Sequence, residues 1–164
     1  MGAAARLAAL GLELPEVALP LAAYLPAVRS GVYVYTSGQL PFVSGALPAT
    51  GKVGLGAGLV SPEDAAGYAR LSALNALAAV AAVIAAEGGP TGADALDHIA
   101  HVTKVVGFVA SDPSFTGQPA VVNGASLLLH EVLGDAGVHA RSAVGVAVLP
   151  MDSPVEVEIV VELA

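Results

Sequence analysis

The sequence predicts an α+β fold in which a small mixed β-sheet is covered on one face by two helices. Three observations lead there. Short β-branched runs bounded by glycine or proline mark strands, two longer runs begin and end at helix caps, and the elements follow the order β-β-α-β-α-β-β with no repeat and no linker. Two helices cannot cover both faces of such a sheet, so they cover one. The 164 residues make a single domain spanning 1–164, with residues 1–19 as an N-terminal extension.

Met1 to Leu12 is Ala-rich with a lone Arg6 and is followed by Glu13 and Glu16; it is short for a secretory signal and reads as a small helical turn or a frayed end. Val32 to Ser37, Val-Tyr-Val-Tyr-Thr-Ser between Gly31 and Gly38, is a strand, and Leu40 to Val43 is a second short extended piece. Leu47 to Leu59 holds Pro48 and glycines at 51, 54, 56 and 58, which makes it a loop. Ser61-Pro62-Glu63-Asp64 supplies an N-cap, a first-turn proline and acids that complement the helix dipole, so a long helix runs from there to Glu87, where Gly88-Gly89-Pro90 ends it.

Val102 to Ala110 is the next strand, stopping at Ser111-Asp112-Pro113, and the second helix begins near Pro119 and ends at Gly134. Ser142 to Leu149 and Val155 to Leu163 are strands joined by the turn 150–154. The last strand alternates Val155, Val157, Ile159, Val161 and Leu163 against Glu156, Glu158 and Glu162. In the strand before it neither face looks solvated: Val144, Val146 and Val148 lie on one side, Ala143, Gly145 and Ala147 on the other. The uncovered side therefore packs on another copy of the chain, which places a ligand cleft where subunits meet.

Six Lys and Arg against fourteen Asp and Glu give a formal charge of −8, too few cations to bind nucleic acid through its phosphates. With no cysteine there is no disulfide, no zinc–thiolate site and no thiol nucleophile. Mean hydropathy is +0.76, yet the longest uninterrupted apolar stretch, Ala76 to Ala86, is short for a membrane span, so a soluble cytoplasmic protein is expected.

Arg141 is the most informative residue. It enters a Val/Ala/Gly strand, where a long cation needs a partner. Either it pairs with Glu156, Glu158 or Glu162 on a neighbouring strand, or its guanidinium fork awaits a carboxylate ligand. The loop from Gly51 to Gly58 lacks the Lys-Ser/Thr of a phosphate-binding loop and reads as a connection. His98, His101, His130 and His139 show no familiar metal-ligand spacing. Ser37, Ser126 and Ser142 sit in no Gly-x-Ser-x-Gly elbow and read as cap or strand residues.

Four stretches resemble the RidA/YjgF family, whose small-molecule branch hydrolyses reactive 2-imino acids. They are Tyr35-Thr-Ser-Gly-Gln-Leu-Pro41, Asn75 in the first long helix, Val122-Asn123 in the second, and Ala140-Arg-Ser-Ala-Val-Gly-Val-Ala-Val-Leu-Pro150 with Val155-Glu-Val-Glu158. The last is the specific one, and the likeness runs from about Pro20 to the C-terminus. The resemblance implies a chorismate-mutase-like fold in a barrel-like homotrimer with three clefts between subunits. It implies that Arg141 holds a substrate carboxylate in a bidentate pair, that Glu156 sits across the cleft and activates water, and that Tyr24, Ser37 and Asn123 line the site.

The chain departs from the deaminase branch at Ala143, where that branch often has Cys, and at Gly145, where it commonly has Glu. At Ala143 a backbone contact to substrate survives and a thiol role does not. Longer stretches at Gly88–Asp97 and Ser111–Gly117 mark a longer sub-branch. No cofactor or metal is needed, because an imine is already electrophilic at carbon. The alternatives are a non-catalytic trimer that binds a small carboxylate through Arg141, and, following a name carried by some relatives, an endoribonuclease. Against the latter, the six cations are scattered at 6, 29, 52, 70, 104 and 141.

Overall fold

The computed structural model describes residues 1–17 and 23–164. The boundary at residue 19 and the start of the resemblance near Pro20 lie outside the described residues. Helix α1 (Ala3–Ala9) is no frayed end: Ala3 and Leu7 are buried, and it packs against the second long helix and a 3-10 turn at Gly92–His98. Asp97 of that turn accepts a hydrogen bond from the Ala3 N–H, satisfying one of the donors that a helix start leaves open.

The sheet has five strands: β1 (Ala27–Ser30), β2 (Tyr33–Thr36), β3 (Ile99–Ala110), β4 (Ala140–Val146) and β5 (Val155–Leu163). Their spatial order is β1-β2-β5-β3-β4, antiparallel throughout except for the parallel pair β3 and β4. A parallel neighbour needs a crossover, and the helix between β3 and β4 supplies it.

The β-β-α-β-α-β-β order holds with its first strands shifted. The opening hairpin is Ala27–Ser30 with Tyr33–Thr36, turning at Gly31 with φ 61°. Leu40 to Val43 is not a strand. Pro41 has no N–H to give a ladder, the chain turns at Ser44 and Gly45 with positive φ, and only isolated bridges form there, Gln39 with Val157 and Val43 with Ala46. Strand β4 begins two residues earlier than expected and ends at Val146, because its partner β3 ends opposite at Ala110.

Helix α2 (Pro62–Ala86) starts as the sequence indicates, Ser61 accepting from the Asp64 N–H, and α3 (Gln118–Leu133) ends at Gly134 with φ 63°. By length and composition α2 could cross a membrane, but Ala69, Ala73, Ala76, Leu77, Val80 and Ile84 lie buried within the domain, the behaviour of a core helix. Both helices cover the sheet face that carries Val105, Val109, Val157, Ile159 and Val161. The helices meet closely: a Cβ on Gly124 of α3 would stand 1.9 Å from the Ala66 carbonyl oxygen of α2. The opposite face presents Val28, Tyr33, Tyr35 and Val144, all exposed, and no helix among the described residues covers it.

Candidate functional site

Strand β4 lies at the sheet edge, in register with β3 so that Arg141 is opposite Val105 and Ala143 opposite Gly107. Val105 faces the helices, so Arg141 does too, and its guanidinium reaches α3. One terminal nitrogen donates to Asn123 Oδ1 at 2.8 Å and to Ser126 Oγ at 3.1 Å; the other donates to the Pro119 carbonyl at 3.2 Å. All three acceptors are neutral. A guanidinium has five N–H groups, so two stay without a partner among the described residues.

No carboxylate among the described residues pairs with Arg141; the ion pairs are Arg29 with Glu87 and Arg70 with Glu131. The expected alternative of a pair with Glu156, Glu158 or Glu162 is therefore overturned. The cause is topological, since β3 stands between β4 and β5 and the three glutamates point to the other face.

Glu156 sits opposite Phe108 on that other face. Its carboxylate lies against the backbone of Gly38, where an added Cβ would fall 1.7 Å from Oε1. Gly38 is held there because Gln39 and Val157 exchange backbone hydrogen bonds of 2.8 and 3.0 Å. Asn75 of α2 fixes the same loop by donating to the Leu40 and Phe42 carbonyls at 2.8 and 3.2 Å. Burial raises the Glu156 pKa above 4.5, and the charge of Glu158 pushes the same way. A carboxylate so placed holds a proton more readily than one in water, as a group that takes and returns protons must.

Ser37 adjoins this second cluster, its hydroxyl donating to the Leu25 carbonyl at 2.6 Å and its N–H to the Pro26 carbonyl at 2.8 Å. That ties the segment carrying Tyr24, itself 54% exposed, to the end of β2. The six predicted residues thus form two groups in one chain. Arg141, Asn123 and Ala143 lie on the helix side of the sheet edge, and Glu156, Ser37 and Tyr24 belong to the β2–β5 side.

Sequence reasoning missed two neighbours of Arg141. Ser126 is neither a cap nor a strand residue: it sits within α3, and its Oγ lies 2.9 Å from His139 Nε2. His139 Nδ1 lies 2.6 Å from the Gly137 carbonyl. A carbonyl only accepts, so Nδ1 carries the ring proton, Nε2 is the acceptor, and the Ser126 hydroxyl donates to it. Burial lowers the His139 pKa below 6.5; the Gly137 contact opposes this, and the charges of Arg141 and His101 add to the lowering. A cavity of about 270 Å³ opens beside Ser126, His139 and Arg141. One signal was legible: Ser126 is three residues after Asn123 on one helix, and His139 precedes Arg141 by two residues, just before β4 begins.

Residues 4–163 match the family model described as "YjgF/chorismate mutase-like, putative endoribonuclease". Protein TCP17 of Trypanosoma cruzi is 43% identical over 163 residues, covering 98% of this chain and 93% of that protein. The crystal structure of Atu1372 from Agrobacterium tumefaciens, a protein of unknown function, is 42% identical, with a TM-score of 0.82 over 99% of this chain and 92% of that one. E. coli TdcF with bound serine is 25% identical, with a TM-score of 0.58 over 92% of this chain and 94% of that one.

Proposed function

The chain belongs to the RidA/YjgF family, and from that premise we propose that it hydrolyses reactive 2-imino and enamine acids to 2-keto acids and ammonia in clefts between the subunits of a homotrimer. The observation that carries this reading is Arg141, a guanidinium braced by three neutral oxygens with two N–H groups left over and no acid beside it among the described residues. Two parallel N–H groups match one carboxylate. The serine bound to TdcF is a small amino acid whose carboxylate fits such an anchor.

Water is the second reactant. With the carboxylate fixed on Arg141, the imine carbon is presented to a water that Glu156 polarises; attack gives a carbinolamine, and the proton Glu156 has taken returns to nitrogen as ammonia leaves. Uncatalysed imine hydrolysis is already quick, so orientation and proton transfer suffice. Because Arg141 and Glu156 face opposite sides of one sheet, they meet only if Arg141 of one subunit faces Glu156 of the next. The outer face, where Val28, Tyr33, Tyr35 and Val144 are exposed, supplies a surface for that assembly.

One observation favours a second reading, a trimer that binds small carboxylates without turning them over: the anchor is complete within one chain, whereas Glu156 is not beside it. The experiment is a coupled assay in which an amino-acid oxidase makes 2-iminopropanoate and semicarbazide traps it. Wild type should suppress the trapped product and Arg141→Ala should not. Glu156→Gln should keep carboxylate binding and lose turnover. A folded wild-type oligomer that leaves trapping unchanged yet is thermally stabilised by pyruvate would replace the enzyme with the binding protein.

A further inference from the structure

The deamination reading uses Ser126 only as a brace for Arg141 and leaves His139 unused, although the two form an acid–base contact beside that arginine. We infer that Ser126 is a nucleophile and His139 its general base, in a second activity that hydrolyses short acyl esters bearing a carboxylate. Three features of the geometry lead there. The hydroxyl-to-imidazole contact is 2.9 Å, within proton-transfer reach, and runs from Oγ to the unprotonated Nε2. The imidazole is oriented by a third group, the Gly137 carbonyl 2.6 Å from Nδ1, which fixes both tautomer and ring plane. Arg141 stands 3.1 Å from Oγ, where its charge stabilises the oxygen as the proton leaves.

The pair opens onto a cavity of about 270 Å³ and is not sealed in the core. The low basicity that burial gives His139 keeps Nε2 unprotonated at neutral pH, as the geometry requires. The same cavity wall carries Arg141, whose two unpartnered N–H groups hold an anion next to Ser126. A half-ester of a short dicarboxylic acid satisfies both halves of this arrangement, its free carboxylate on Arg141 and its ester carbonyl over Oγ.

The steps balance with water as the only co-reactant. Oγ bonds to the ester carbonyl carbon while its proton passes to His139 Nε2. The carbon–oxygen bond to the alcohol then breaks and takes that proton. Water gives a proton to Nε2 as its oxygen attacks the acyl-serine; the Ser126 bond breaks, the proton returns to Oγ, and the free acid departs.

The test is labelling of the folded protein with diisopropyl fluorophosphate, read by intact-mass and peptide mass spectrometry. The expected result is one adduct on Ser126, absent in Ser126→Ala and formed about 100-fold more slowly in His139→Gln, whose amide accepts the hydroxyl hydrogen bond but takes no proton. Wild type should also hydrolyse 4-nitrophenyl hydrogen succinate faster than neutral 4-nitrophenyl butyrate, and Arg141→Ala should erase that preference. No adduct on folded wild type, an adduct elsewhere, or a labelling rate indifferent to His139→Gln would overturn the inference. Labelling needs no imine, so a failed deamination assay leaves this result standing.

Discussion

Arg141 keeps a full charge among oxygens that carry none, and that asymmetry decides what a substitution there does. Lysine offers one point charge in place of a fork, so it cannot brace itself on Asn123, Ser126 and Pro119 and also present two parallel donors. Arg141→Lys is expected to weaken pyruvate binding, measured by calorimetry, by tenfold or more, about 1.4 kcal/mol. Glu156 makes the opposite kind of statement. Its pKa is raised in the folded protein, so folding favours its protonated form, and the contribution is complete below pH 4.5 and lost as pH rises through the raised value. Glu156→Gln should therefore match wild type in Tm below pH 4.5 and exceed it at neutral pH; equal Tm values at both would show that the carboxylate is not strained by its burial. Arg141 was legible in the sequence as a rare cation in an apolar strand. That it would not pair with Glu156, Glu158 or Glu162 was not, because pairing β4 with β3 and not with β5 is a property of the sheet order, which no local pattern encodes.

At the scale of elements, two glycines of similar appearance have opposite duties. Gly124 lets α3 approach α2, and the atom a Cβ would strike, 1.9 Å away, is the Ala66 carbonyl oxygen of a helix backbone that cannot step aside. Gly124→Ala gains about 1 kcal/mol of helix propensity but forces the two helices apart, and overpacking of this kind costs about 1–3 kcal/mol or more. Denaturant unfolding should show a net loss. Gly38→Ala instead strikes the far end of the flexible Glu156 side chain. It should leave stability nearly unchanged while displacing the carboxylate, so imine hydrolysis falls by a factor approaching that of Glu156→Gln. The helices and β5 were readable because caps, a helix-ending glycine and strict alternation are local signals. The first hairpin was not: Ala-Val-Arg-Ser carries weak strand preference, and β1 exists because β2 offers it a partner.

For the whole molecule the governing fact is that one sheet carries candidate site residues on both of its sides. Arg141 reaches toward α3 on one, Glu156 leans on Gly38 on the other, and the second side also presents Val28, Tyr35 and Val144 to solvent. A low charge content leads to the expectation of apolar surface between subunits, and the register shows which residues share the uncovered face. Val160, opposite Tyr35 on β2 and Lys104 on β3, sits at the centre of that face. Val160→Lys should fold as a monomer and, by placing a second cation beside Lys104 in a desolvated contact, prevent association. Sedimentation equilibrium should give three times 16.1 kDa for wild type if the proposed trimer forms, and 16.1 kDa for the variant. Subunit mixing tests the same geometry through activity. If each cleft joins Arg141 of one subunit to Glu156 of the next, Arg141→Ala and Glu156→Gln chains, each inactive alone, should regain turnover when unfolded together and reassembled, because some interfaces then pair an intact arginine with an intact glutamate. If both residues of a site came from one chain, every site in the mixture would lack one of them and activity would stay absent at all mixing ratios.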